Sequence, residues 1–133
     1  MATIDLTKDT FRDTVTKEGI VLVDWWAPWC GPCRAFKPIF EAASEKHQDV
    51  TFAKINTDEQ QELSGVFEIR SIPTVMLFRD GVLLFAQPGM LSQPALEELL
   101  AKVKELDMAE VQKQIAEAKA AAAAGGAPAP KPN

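Results

Sequence analysis

Residues 20–33 read Ile-Val-Leu-Val-Asp-Trp-Trp-Ala-Pro-Trp-Cys-Gly-Pro-Cys, and they join an apolar run to the only two cysteines of the chain. The run from Ile20 to Trp26 is largely apolar on both faces, which is typical of a central strand covered by helices on each side. The residues that follow have helical spacing, with one face formed by Cys33, Phe36, Phe40, Ala43 and His47. The sequence therefore places both cysteines at a strand-to-helix turn.

The two cysteines are more consistent with a redox centre than with a structural link. Thiols three positions apart at such a turn can interconvert between disulfide and dithiol with little chain movement. A disulfide that closes so small a loop constrains the unfolded chain least, which argues against a purely structural role. Structural zinc usually needs four ligands, and His47 is the only other good one. We therefore expect no metal site.

The position of the pair predicts different roles for the two thiols. Cys30 lies at the helix tip, where free backbone N–H groups and the helix dipole stabilise a thiolate and lower the thiol pKa. We expect Cys30 to be the nucleophile, accessible to a partner, and Cys33 to face inward as the resolving thiol.

Length, composition and net charge limit the number of domains and the kinds of molecule that the protein can bind. A chain of 133 residues with 47% hydrophobic residues accommodates one domain plus an appendage. Its formal net charge of −5 gives nucleic acid or an anionic membrane little to bind. The sequence starts without a basic segment followed by a long apolar one, so we expect a cytoplasmic protein, although a mature form with its signal removed would look the same. In that compartment ordinary thiols stay reduced, so a close cysteine pair indicates catalysis or metal binding rather than a permanent crosslink.

The remaining pattern predicts an α/β fold with a central mixed sheet of about five strands, flanked by helices on both faces. After a short first strand, we expect helices at about 8–17 and 59–67 and a strand at 50–56. Asp80-Gly81 between two apolar runs, 74–78 and 82–86, indicates a hairpin.

The C-terminal part is predicted to be an extension of this domain. A helix opens at Ser92, a favourable N-cap, and its apolar stripe ends at Leu106. A second stripe is displaced by roughly a quarter turn, and Asp107 and Glu110 have the spacing of a capping box. We therefore expect a domain at 1–106, an additional C-terminal helix at 107–124, and a disordered or polyproline-like tail at 125–133, which is rich in Ala, Gly and Pro.

These motifs together resemble the thioredoxin family. The resemblance rests on Trp29-Cys30-Gly31-Pro32-Cys33, on Asp24 six residues before the first cysteine, and on Ile72-Pro73-Thr74 before the hairpin. It covers residues 1 to about 106. Pro88, before Gly89, is less usual for the family and lies in a loop that borders the substrate groove.

The resemblance implies two further catalytic residues. Asp24 would exchange a proton with Cys33 as the resolving thiol attacks, through water, with Lys54 as a nearby charge partner. Asp24 also interrupts an otherwise apolar run, so burial should raise its pKa. The alternative is an Asp at a strand end that faces solvent.

The resemblance also implies a substrate groove. In thioredoxins the Ile72–Pro73 peptide is cis, which would set the Ile72 backbone beside Cys30 and offer strand-like hydrogen bonds to an extended substrate. The substrate-binding residues expected on this basis are Trp29, Gly31, Pro32, Ile72, Pro73 and Gly89.

The function implied is reduction of disulfides in partner proteins, with electrons from an NADPH-dependent thioredoxin reductase, no organic cofactor on the protein itself, and a monomeric state. An oxidase or isomerase is the nearest alternative, but Gly31-Pro32 supplies no cation to stabilise the thiolate. A different alternative is an interaction module in which the terminal helix, with a stripe of Met108, Val111, Ile115 and Ala118, recruits a partner.

Overall fold

The protein is described here from a computed structural model, which covers residues 3–123. In that range five strands form one mixed sheet in the order β1-β3-β2-β4-β5. The strands are β1 (Thr3–Asp5), β2 (Ile20–Trp26), β3 (Val50–Asn56), β4 (Thr74–Arg79) and β5 (Val82–Pro88). The helices are α1 (Phe11–Val15), α2 (Gly31–Lys46), α3 (Gln61–Val66), α4 (Gln93–Glu105) and α5 (Met108–Ala123).

The sheet is mixed because β1, β3 and β2 run parallel, whereas β4 is antiparallel to both β2 and β5. Helices connect the parallel strands, as parallel pairing requires. The predicted fold class, a five-stranded mixed sheet with helices and a C-terminal helix, is confirmed.

Alternation along the strands divides the core between the two faces of the sheet. Phe40 of α2 packs edge-on against Phe52 of β3, with ring centroids 5.2 Å apart, so α2 covers the face that Phe52 shares with Lys54. The ring centroids of Phe11 in α1 and Trp25 in β2 are 6.1 Å apart, so α1 covers the opposite face of the sheet. The face under α2 therefore carries the even-numbered residues of both β2 and β3.

The first helix, Phe11–Val15, is shorter than the expected 8–17, and threonine side chains form local hydrogen bonds near both of its ends. Before it, the backbone N–H of Thr7 donates to Thr10 Oγ1. At its end, the hydroxyl of Thr16 donates to the carbonyl of Arg12. Such local bonds compete with continuation of a helix. Gly19, with φ of +95°, then turns the chain into β2.

The third helix also starts later than the expected residue 59. Asn56 Oδ1 accepts hydrogen bonds from the backbone N–H groups of Asp58 and Glu59, which holds the chain in a turn after β3. In the hairpin, Asp80 and Gly81 both have positive φ, as a tight two-residue turn requires, and β5 continues to Pro88 rather than ending near 86.

The chain divides into two compact units, residues 1–98 and the part from Leu99 onward, with the division inside α4. The backbone N–H of Ala95 donates to Ser92 Oγ at the start of α4. Asp107 Oδ1 accepts from Ala109 and Glu110 N–H groups at the start of α5. Ala124 and the tail at 125–133 lie outside the described residues. Among residues 3–123, no helix is long and apolar enough to cross a membrane.

Candidate active site

The N-terminus of α2 positions the two cysteines. Cys30 is the N-cap residue, and its Sγ accepts a hydrogen bond of 3.1 Å from the backbone N–H of Cys33. Gly31 and Pro32 form the first helical positions, where proline is tolerated because the backbone N–H there has no partner within the helix. One of the unpaired donors of the helix is thus directed at the Cys30 sulfur.

Cys30 and Cys33 are joined by a disulfide, with their Cα atoms 5.2 Å apart. The expected difference in access is not seen in this oxidised form, since Cys30 is 4% and Cys33 3% exposed. Both lie in a small cluster with Ala27, against which Trp26 and Ile72 pack. The two sulfurs differ in their contacts instead, because Cys30 Sγ is the one that receives the helix N–H and lies 3.6 Å from the Ile72 carbonyl oxygen.

Asp24 and Lys54 lie on the face of the sheet that α2 covers. They are register partners on β2 and β3, and both are buried, at 1% and 9% exposed. Burial raises the pKa of Asp24 to about 7, and the positive charge of Lys54 opposes this shift only in part. Asp24 is therefore not the solvent-facing residue of the alternative hypothesis.

A cavity of about 210 Å³ lies beside Asp24 and Cys33. It is lined by Asp24, Trp26, Pro28, Cys33, Arg34, Lys37 and Lys54. Asp24 Oδ1 is buried and has no hydrogen-bond partner among the described residues. The ammonium of Lys54 lies 4.6 Å from the centre of the Trp26 ring. Two larger clefts, of about 480 and 470 Å³, contain neither cysteine.

The turn before β4 approaches the cysteines from the other side. The Ile72–Pro73 peptide bond is cis. The backbone N–H of Gly89 donates to the Pro73 carbonyl over 2.7 Å, and Gly89 has φ of +97°, which favours glycine. This bond joins the end of β5 to the turn that contacts Cys30.

Trp29 directly precedes Cys30 and is 66% exposed. Its indole N–H donates to the carboxylate of Asp58, at 3.0 Å and 3.3 Å from the two oxygens. Asp58 is not among the site residues expected from the sequence. A usable signal existed, because β2 and β3 are parallel, so the residues that follow both strands meet at one edge of the sheet.

The chemistry of these groups is that of sulfur exchange. The part of the chain from residue 3 to 123 holds no group of three or more His, Cys, Asp or Glu side chains that could bind a metal ion. A disulfide at a helix N-terminus, beside a buried carboxyl with a pKa near neutrality, defines a thiol–disulfide oxidoreductase.

Comparison with known proteins identifies the family. The thioredoxin family model matches residues 2–105, so the chain belongs to the thioredoxin family. A protein described as putative thioredoxin 2 of Streptomyces coelicolor is 47% identical over 119 residues, which cover 90% of this chain and 89% of that protein. Thioredoxin of Bacillus subtilis is 39% identical over 103 residues, covering 77% of this chain and 98% of the relative.

Solved structures agree with this assignment. A single-site mutant of a thioredoxin from Halobacterium salinarum superposes with a TM-score of 0.72 at 32% identity, covering 79% of this chain and 93% of that one. Thioredoxin of Malassezia sympodialis superposes with a TM-score of 0.69 at 28% identity, and the match covers 77% of this chain and 93% of that one. The protein is thus a thioredoxin-type protein-disulfide reductase that works by dithiol–disulfide exchange through Cys30 and Cys33.

Proposed function

We propose that Cys30 is the nucleophile of this exchange. The observation that carries the proposal is the hydrogen bond from the Cys33 backbone N–H to Cys30 Sγ at the N-terminus of α2. In the reduced protein this donor and the helix dipole stabilise a thiolate on Cys30. The thiolate attacks one sulfur of a substrate disulfide, forms a mixed disulfide and releases the other substrate sulfur as a thiolate.

Cys33 then resolves the mixed disulfide. Its thiol transfers a proton to the Asp24 carboxylate, through water in the cavity that both residues line. The resulting thiolate attacks Cys30 Sγ, so the Cys30–Cys33 disulfide forms and the second substrate thiolate leaves. A base with a pKa near 7 suits this transfer, because it is partly deprotonated at neutral pH and still accepts a proton readily. Lys54 acts as the charge partner of Asp24.

The substrate binds across the turn opposite Cys30. The backbone of Ile72 offers strand-like hydrogen bonding to an extended peptide, and its carbonyl lies next to Cys30 Sγ. The remaining groove residues are Trp29, Gly31, Pro32, Pro73 and Gly89. Pro88 has no backbone N–H to donate to a substrate carbonyl at the end of β5, so the backbone hydrogen bonds with the substrate are assigned to Ile72.

Electrons are supplied by an NADPH-dependent thioredoxin reductase, since the chain contributes only the dithiol. A cytoplasmic location provides this donor, and the protein acts as a monomer on oxidised partner proteins. The domain that carries the activity spans residues 1–106. The 119 residues aligned with the Streptomyces protein exceed the 104 residues from 2 to 105, so that match runs into the extension at 107–124.

The test is turnover of a protein disulfide, such as insulin, with NADPH and thioredoxin reductase. The parent protein is expected to turn over, Cys30→Ser to be inactive, and Cys33→Ser to stop at a mixed disulfide visible by mass spectrometry. Absence of turnover in the parent protein would contradict the proposed electron donor. Mixed disulfides formed equally well by Cys30→Ser would contradict the assignment of the nucleophile.

A further inference from the structure

The cavity beside Cys33 has more positive charge than the exchange reaction uses. Its lining contains the cations of Arg34, Lys37 and Lys54 but only one carboxyl, that of Asp24. Arg34 and Lys37 are three residues apart on α2, so their side chains share a helix face. Neither the Arg34 nor the Lys37 side chain takes part in an ion pair within residues 3–123. This local excess of cations occurs in a chain whose net charge is −5.

A second observation at the same place indicates a ligand. Asp24 is 1% exposed, lines the cavity, and leaves its Oδ1 without a hydrogen-bond partner among the described residues. A buried polar atom without a partner costs free energy, so such atoms are normally satisfied. When Asp24 is protonated, its O–H is a donor that can meet an acceptor in the cavity.

We propose that this cavity binds a small oxyanion, held by Arg34, Lys37 and Lys54, together with a proton on Asp24. Guanidinium and ammonium groups are the usual donors to such anions, and their hydrogen bonds are charge-assisted. About 10–15 Å³ is enough to hold one water, so 210 Å³ admits a polyatomic ion. Trp26 and Pro28 add apolar surface to the lining, and the Arg34 and Lys37 side chains reach it from the exposed face of α2.

Binding is coupled to pH through Asp24. Below its pKa of about 7 the carboxyl is neutral and donates to the anion, whereas above it the carboxylate repels the anion. Cys33 on α2 lines the cavity with Asp24 but is held in the disulfide and does not titrate. The charged groups there are Lys54 on β3 and Arg34 and Lys37 on α2, and the Lys54 charge is the one that lowers the pKa of Asp24. Its register partner on β4 is the uncharged Val75. The affinity therefore increases as the pH falls through about 7.

The coupling is reciprocal, so a bound anion holds the proton on Asp24. Since Asp24 is the proposed base for Cys33, an occupied cavity slows resolution of the mixed disulfide. This consequence rests on the proposed function. Anion binding itself does not, because it requires neither turnover nor a reduced cysteine pair.

The experiment is an NMR titration of the full-length, oxidised, ¹⁵N-labelled protein with sodium sulfate. Sulfate stays a dianion from pH 5.5 to 8.5, so any pH dependence belongs to the protein, and sodium chloride keeps the ionic strength constant. We expect saturable shifts of the Trp26 indole N–H and of the Cys33 and Arg34 amides. Removal of one unit charge from a partly buried site predicts about tenfold tighter binding at pH 5.5 than at pH 8.5.

Matched variants separate a site from a general salt effect. Arg34→Gln and Lys37→Gln are each expected to weaken binding about tenfold, whereas Lys17→Gln, an exposed cation outside the cavity, leaves it unchanged. Asp24→Asn is expected to bind sulfate equally at both pH values. The proposal is overturned by shifts that rise linearly without saturation, by equal affinity in the Lys17 and Lys37 variants, or by a pH dependence that persists in Asp24→Asn. Reductase turnover is measured separately and bears only on the proposed function.

Discussion

Asp24 and Lys54 are register partners on two parallel strands, and both side chains are buried beneath α2. Despite the neighbouring cation, desolvation is the larger effect, and it raises the pKa of Asp24 to about 7. The Lys54 ammonium also makes a cation–π contact with the Trp26 ring. The carboxyl therefore changes charge in the pH range where thiol exchange takes place.

The first prediction concerns the resolving step in Asp24→Asn. Asn cannot accept the Cys33 proton, so resolution of a preformed mixed disulfide should slow by about 10²–10⁴-fold, the usual contribution of a general base. The initial attack by Cys30 should be retained. In the parent protein the resolving rate should rise with pH through about 7, because the carboxylate is the active form. Stopped-flow Trp fluorescence at pH 5.5–8.5 measures both steps.

Asp13→Asn is the matched control, since this carboxyl is exposed on α1 and remote from the cysteines in sequence. It should reproduce the rates and the pH profile of the parent. Equal resolving rates in Asp24→Asn and the parent would remove Asp24 from the proton transfer.

The second prediction is that Asp24→Asn stabilises the fold at neutral and alkaline pH. A carboxyl whose pKa rises from 3.8 to about 7 on folding favours the native state below pH 3.8 and loses this contribution as the pH rises through about 7. Asn does not ionise, so the Asp24→Asn protein does not lose stability in this way as the pH rises. Its gain in unfolding free energy at pH 8 should be on the order of 4 kcal/mol, and most of it should be gone at pH 4.

Urea unfolding of the oxidised proteins at the two pH values measures this difference. The same substitution at Asp13 should leave the unfolding free energy within about 0.5 kcal/mol of the parent. A gain of equal size at pH 4 and pH 8 would show that improved packing, rather than the ionisation of Asp24, causes it.

The fold was predictable because its determinants are local and periodic. The run at 20–26, the helical spacing after Cys33 and the Asp80-Gly81 turn each specify one element, and parallel strands require the connecting helices. Helix ends were predicted less well, because they coincide with local side-chain hydrogen bonds that hydrophobic spacing does not detect. The Thr16 hydroxyl donates to the Arg12 carbonyl, and Asn56 Oδ1 accepts from the Asp58 N–H.

The residues of the cysteine motif could be predicted from the sequence, but the contacts that surround them could not. The sequence singles out Cys30, Cys33 and Asp24 as candidates because their residue types are unusual where they occur, and the structure places Cys33 and Asp24 on one cavity. The sequence does not show that Asp58 reaches Trp29, or that Lys37 shares a cavity with Asp24, because such contacts depend on how strands and helices pack together. The similar burial of the two cysteines likewise follows from tertiary contacts with Ile72 and Trp26.

The third prediction is the order in which the reduced cysteines are alkylated. The sulfur of Cys30 receives the helix N–H, so Cys30 should carry the thiolate and react first with iodoacetamide near pH 7. Peptide mapping by mass spectrometry after short exposure gives the site of labelling, and a short cysteine peptide is the control. Faster labelling of Cys33, or a Cys30 rate no higher than that of the peptide, would contradict the assignment.

The fourth prediction makes Asp58 a positioning residue for Trp29. Asp58→Ala removes the acceptor of the indole N–H, so the exposed ring is no longer fixed by this hydrogen bond. We expect kcat/KM for insulin to fall several-fold through KM, with little change for a small aromatic disulfide that does not need the groove. Asp58→Asn keeps an acceptor oxygen and should restore most of the loss. Equal losses for both substrates would indicate a structural effect instead.

The fifth prediction is that the reductase does not need residues 107–133. Helix α5 has no buried residue within its described range, and the family model ends at residue 105. A chain that stops at Leu106 keeps the whole of α4 and should retain insulin reduction at the parent rate. Its unfolding free energy should change by only about 0.5 kcal/mol, as for changes away from buried contacts.

Asp107→Ala in the full chain separates loss of the α5 N-cap from loss of the whole segment. Asp107 Oδ1 accepts from two backbone N–H groups, so this variant should weaken amide protection in the first turn of α5 by about 1 kcal/mol, while Asp107→Asn should not. Neither variant should change turnover if the activity resides in residues 1–106. Loss of turnover in the truncated chain, with Asp107→Ala active, would instead assign the extension a part in the reductase reaction.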